Sequence, residues 1–183
     1  MSGQQSMRIC FISNGNSNHI QMIANYFAQK GHDVHLINYD LMNGYDSRIE
    51  IHQLKCLPFM GKSQNYVNSI TWPWQVRKLV SSIKPDLLNA HYLTIYGLLA
   101  SLSGFHPLIV TAWGSDILWP PKIKTLWKFI IKYTLKRADL LICLFEQSMI
   151  DRTSKIIRSD LKIISLPYGT DVAVFKKIKI APN

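Results

Sequence analysis

Short β-rich runs alternate with helical patterns from Met7 onward, and this alternation constrains the fold more than any other feature of the chain. RICFI at 8–12, DVHLIN at 33–38, IEIHQL at 49–54, LLNAH at 87–91, LIVTA at 108–112, LLICL at 140–144 and KIISL at 162–166 read as strands. The segment from Ser17 to Lys30 carries Ile20, Ile23, Ala24, Phe27 and Ala28 at helical spacing, with Gly31 as its stop signal. Further helical patterns run from Pro73 to Lys84, Leu93 to Ser103, Ile123 to Arg137 and Gln147 to Ile157. Strands apolar along their whole length belong to sheets covered on both faces, and their crossovers are right-handed. The expected fold is therefore α/β: a doubly wound, mainly parallel sheet with helices on both faces.

A chain of 183 residues, 48% hydrophobic and 17% charged, can bury one good core, and global disorder is excluded. Residues 1–6 read as a disordered leader or an expression remnant, and 57–69 as a loop. MSGQQSMR lacks the apolar segment of a secretory signal, so a cytoplasmic location is expected. Cys10, Cys56 and Cys143 show no paired metal-ligand spacing and are expected as small hydrophobes in a reducing compartment; no metal site is expected. The uncharged stretch between Asp86 and Asp116 is long enough to cross a bilayer. Asn89, His91, Gly97, Gly104, His106 and Pro107 interrupt it, and it reads as strand, helix, strand instead. A formal charge of +10 implies attraction to polyanions. Without a zinc pattern, an RNP-type strand motif or a helix-turn-helix, no nucleic-acid partner is expected.

Ligands of a doubly wound sheet sit beyond the carboxyl ends of its strands. The first strand runs into SNGNSNH, where Gly15, Asn16 and His19 precede a helix whose NH groups can hold a phosphate or a sugar hydroxyl. Only one glycine is present, so this is not the dinucleotide fingerprint, and a plain turn and cap is the competing reading. His91 ends LLNAH and either faces the cleft as a hydrogen-bonding imidazole or serves as a satisfied structural histidine. LIVTA runs into Trp113, Gly114, Ser115 and Asp116: an indole for stacking, a glycine for close approach, and a hydroxyl and a carboxylate for hydrogen bonds. The alternative for Asp116 is a helix cap. These three segments are expected to converge on one rim of the sheet.

The ordered set KGHDVHLI, KPDLLNAHY, PLIVTAWGSD, KRADLLICLFE and KIISLPYGTDVAVF resembles the N-terminal domain of the GT-B retaining glycosyltransferases, especially the family 4 group, from about Met7 to Phe175. The resemblance implies a Rossmann-like acceptor-side domain over 7–170. It places the start of an interdomain linker at 171–183, with Gly169 and Asp171 at the hinge, and the donor-binding domain outside the chain. It also implies transfer from a nucleotide-sugar donor to a glycan or lipid-linked acceptor with retention. Cofactors and an obligatory metal are not implied, and the isolated chain is expected to be inactive. Many relatives carry a histidine where this chain has Trp113, so stacking or shape selection replaces charge work there, Asp116 becomes the polar contact, and no catalytic base is assigned. A standalone carbohydrate- or nucleotide-binding module is the alternative.

The segment from Trp119 to Arg137 is basic. A helix there is expected to pack Ile123, Leu126, Trp127 and Ile130 on the sheet, exposing Lys124, Lys128, Lys132 and Lys136 beside Phe129 and Tyr133. That face suits an anionic membrane surface, with a plain solvated face as the alternative.

Overall fold

The computed structural model describes residues 5–40, 43–55, 71–118, 124–144, 151 and 160–166. The expected helix at 147–157 (apart from residue 151), the loop at 57–69, most of the leader and the hinge at Gly169 and Asp171 lie outside them.

All seven expected strands form: β1 Arg8–Ile12, β2 Asp33–Asn38, β3 Glu50–Gln53, β4 Leu87–His91, β5 Leu108–Ala112, β6 Leu140–Leu144 and β7 Lys162–Leu166. They make one sheet in the order β3-β2-β1-β4-β5-β6-β7, parallel at every pairing. Among the described residues the helices are α1 Asn18–Gln29, α2 Trp72–Ile83, α3 Ile95–Ser103, α4 Ser115–Leu118 and α5 Lys124–Arg137. The single turn α4 was not expected from the sequence. Strand order reverses between β1 and β4, which sets the topological switch point of the sheet there.

The pleat of β1 shows why its run is apolar throughout. Cys10 and Ile12 join one core cluster with Val76, Leu99 and Leu135 from α2, α3 and α5. Ile9 and Phe11 join a second with Ile20, Ala24 and Ala28 from α1. Successive residues thus serve opposite faces, and each fully buried Ile, Leu or Phe stabilises the fold by about 1.5–3 kcal/mol. Helix α1 ends where Gly31 takes φ +86°, with Gly31 N–H donating to Ala28 and His32 N–H to Phe27. This Schellman arrangement satisfies the last carbonyls and turns the chain directly into β2. Cys10 and Cys143 are buried free thiols whose pKa values burial pushes up to about 12 and about 11, so both stay protonated and unreactive.

Helix α5 corrects the expected phase. Leu126 is 56% exposed, and the buried positions are Ile131, Thr134 and Leu135, with Ala138 just beyond the helix. The shift follows from a close crossing with α3: a Cβ on Gly97 would lie 2.7 Å from Thr134 Cγ2 and 2.8 Å from the Tyr92 carbonyl oxygen. Glycine on one helix and a short side chain on the other let the backbones approach, and this pair fixes the rotation of α5. Leu126, Phe129 and Tyr133 then share the outward side with Lys128, Lys132 and Lys136. Among the described residues, no helix is long and apolar enough to cross a membrane.

Candidate functional site

The loops after β1, β4 and β5 meet at the switch point. His19, in the first turn of α1, stacks on Trp113 after β5, with ring centroids 5.0 Å apart and planes inclined by 28°. Trp113 Nε1–H donates to His91 Nδ1 at 3.1 Å, joining the end of β5 to the end of β4. Tyr92 runs nearly parallel to the same indole at 6.2 Å. The three sequence segments therefore converge through direct side-chain contact.

His91 is 2% exposed, and burial depresses its pKa to about 3. Because Nδ1 accepts from the indole, the ring is the neutral tautomer with hydrogen on Nε2. With its pKa held near 3, it does not gain or lose a proton near neutral pH. Nε2 is buried without a hydrogen-bond partner among the described residues, as is the side-chain amide of Asn38 at the end of β2. Orphaned polar atoms of this kind cost stability unless something else satisfies them.

Asp116 departs from the expected role of an open polar contact. It is 4% exposed; Oδ2 accepts from Leu93 N–H at 2.9 Å and Oδ1 from Trp113 N–H at 3.1 Å. One carboxylate thus ties the turn after β4 to the turn after β5. Burial raises its pKa, while the backbone donors pull it back down. Nor is it an ordinary cap of α4, since it reaches back to Trp113 and across to Leu93. Gly114 between them takes φ +97°, a conformation that L side chains rarely adopt. Ser115 is exposed at the start of α4.

Gly15 is explained by packing. A Cβ there would lie 2.4 Å from Asn38 Nδ2, and the Gly15 carbonyl accepts from the Tyr45 hydroxyl at 2.9 Å. Asn16 is exposed, and its N–H donates to Asn14 Oδ1 at 2.8 Å in a local turn. The turn reading therefore accounts for Gly15, whereas His19 is presented to the cleft side by the helix that follows.

Sequence reading missed Tyr92. Its φ of +77° is unusual for a bulky residue. It is held by its N–H donating to Thr111 at 2.9 Å and by its carbonyl accepting from Gly97 at 2.9 Å. Nothing in a tyrosine signals a left-handed backbone, so only the folded turn reveals it. A separate open groove of about 560 Å³ between β3 and α2, lined by Gln53, Lys55, Trp74 and Lys78 among others, shares no residue with this cluster.

The fold has solved counterparts. A sucrose-phosphate synthase from Thermosynechococcus elongatus superposes with a TM-score of 0.71 at 11% identity, over 93% of this chain and 50% of that one. A Glycyrrhiza uralensis protein crystallised with glycyrrhetinic acid 3-O-monoglucuronide gives 0.57 at 13% identity, over 87% and 48%. A UDP-N-acetylglucosamine 2-epimerase from Rickettsia bellii gives 0.58 at 11% identity, over 86% and 44%. At such identities the likeness shows the fold, that of a Rossmann-like GT-B domain, and the chain spans about half the length of these structures. No curated protein sequence matches it. Residues 8–144, about three quarters of the chain, match the family model described as Glycosyl transferase 4-like. The chain belongs to the glycosyl transferase 4-like family.

Proposed function

We propose that this chain supplies the acceptor-facing wall of an interdomain cleft in a retaining glycosyltransferase that moves a sugar from a nucleotide-sugar donor to a glycan or lipid-linked acceptor. The observation that carries this reading is the His19–Trp113–His91 contact at the switch point of the sheet. Trp113 is half-buried and already flanked by His19 and Tyr92, so a sugar meets an aromatic wall built from several rings rather than an isolated indole. His91 and Asp116 hold that wall in place and touch no reacting atom. In this reading the nucleotide sugar is bound by a second domain, corresponding to the half of the solved structures that this chain does not cover, and transfer needs no cofactor or metal. Calorimetry with UDP- and GDP-sugars tests the division of labour. The 183-residue chain is expected to bind them weakly and to show no turnover. Micromolar binding with turnover contradicts the half-enzyme reading.

The outward side of α5 supports peripheral attachment to an anionic membrane as part of the same proposal. Leu126, Phe129 and Tyr133 are 56%, 68% and 39% exposed at spacings of three and four residues, beside Lys128, Lys132 and Lys136. Lys124 opens the helix, and its side chain lies outside the described residues. Each lysine near an anionic surface contributes about 1 kcal/mol, and the apolar stripe adds burial at the lipid boundary. Sedimentation with liposomes should show binding to anionic but not neutral vesicles. Changing Lys124, Lys128, Lys132 and Lys136 together to Gln should abolish it with the fold intact. Equal sedimentation of wild type and variant removes the membrane claim alone.

A further inference from the structure

At the β2–β3 edge of the sheet, two imidazoles and two carboxylates come together. Parallel pairing sets His35 against Glu50 and Ile37 against His52. The pleat places Asp33, His35 and Ile37 on one face of β2, with Glu50 and His52 on the same face of β3. His35 Nδ1 lies 3.0 Å from His52 Nε2, His35 Nδ1 lies 3.5 Å from Glu50 Oε2, and His52 Nε2 lies 3.7 Å from Glu50 Oε1. A tetrahedral ion with nitrogen and oxygen ligands at about 2.0–2.1 Å has ligand–ligand edges of about 3.3 Å. These separations, the last two to different Glu50 oxygens, lie near that edge. The two rings now stack with centroids 5.2 Å apart and share a hydrogen bond, so holding one ion requires the imidazoles to rotate out of that bond and one carboxylate oxygen to turn inward.

The surroundings match what such an ion needs. His35 is 6% exposed, and its Nε2 sits 3.3 Å from Asp33 Oδ1 but is not aligned for a hydrogen bond. A small ring rotation that lets Nε2–H donate to this carboxylate would fix the ring, turn Nδ1 toward a metal and raise its basicity. Asp33 is itself fixed by Arg8 Nε at 2.6 Å. The Glu50 side chain is 67% exposed, which leaves a route of entry and room for a water as fourth ligand.

We propose that His35 Nδ1, His52 Nε2 and a Glu50 carboxylate oxygen form a zinc site, with Asp33 orienting His35. Two imidazoles and one carboxylate suit zinc among the divalent ions. The site clamps β3, an edge strand with little buried side-chain surface, onto β2. It stands independently of the glycosyltransferase reading and takes no part in transfer.

Cobalt titration of the untagged, metal-stripped full chain is the test. The expected result is a visible ligand-field band of tetrahedral intensity that saturates at one equivalent and is bleached by zinc. His52→Gln and Glu50→Gln alter half-buried and exposed positions and should keep the far-ultraviolet circular dichroism of the wild type. His52→Gln should lose the band, and Glu50→Gln should weaken cobalt binding at least tenfold. Zinc should also slow amide exchange at Ile51 and His52 in the wild type only. Absence of a saturable band, or a band unchanged in folded His52→Gln, overturns the proposal.

Discussion

Lowering the pH from 6.5 to 5 is expected to remove about 2 kcal/mol of stability through His91 alone. Its folded pKa is depressed to about 3 by burial, against an ordinary value of 6.5. Between those two values the unfolded chain binds more protons than the folded one, so this contribution is fully present above pH 6.5 and is lost as pH falls toward 3. Each pH step in that window takes away about 1.4 kcal/mol. Protonation would also place a hydrogen on Nδ1, the atom that accepts from Trp113. The measurement is urea unfolding at pH 7, 6 and 5 for wild type and His91→Asn, whose side-chain oxygen can still accept from the indole. The variant starts less stable, but its stability should fall by about 2 kcal/mol less over that range. His52, also depressed by burial, contributes the same slope to both proteins and cancels in the comparison. Identical slopes would show that His91 is not buried as a neutral ring.

Asp116→Ala should destabilise the domain by about 3 kcal/mol and lower its melting temperature by about 10 °C. The loss arises because Leu93 N–H in a buried turn and Trp113 N–H in a part-buried one both surrender their acceptor. A buried donor left unsatisfied costs about 1–3 kcal/mol, and relief from burying the carboxylate offsets part of the sum. Asp116→Asn keeps one acceptor oxygen and should fall about midway. Since the same carboxylate sets the backbone on either side of Tyr92 and Trp113, any loss of turnover should track the loss of folded protein. Differential scanning calorimetry checks this directly, and a fall of less than about 2 °C in Asp116→Ala contradicts a clamp role.

The sheet was readable because a strand buried on both faces has no solvent side to interrupt its apolar run, as in RICFI and LIVTA. Convergence of His19, His91 and Trp113 was readable for the same reason: once the sheet is parallel, whatever follows its strands gathers at one end. The roles within that cluster were not. Whether Asp116 faces a ligand or two backbone donors depends on how the turns after β4 and β5 approach each other, which no local pattern encodes. The phase of α5 was misread because Leu126 and Ile130 complete an apolar stripe as convincing as the real one, and only the Gly97–Thr134 crossing selects between them. His35 and His52 are seventeen residues apart, and their pairing exists only in the register of β2 on β3.

The central claim is that the aromatic cluster at the switch point faces a sugar. It is tested most directly by nucleoside diphosphate release from a panel of UDP- and GDP-sugars, using this domain joined to the proposed donor-binding domain and the His19→Ala and Trp113→Ala variants of that protein. The account predicts at least tenfold slower release in both variants, about 1.4 kcal/mol or more of lost transition-state stabilisation, with melting temperatures close to wild type for the exposed His19→Ala. Release at the wild-type rate by folded His19→Ala and Trp113→Ala proteins would contradict it.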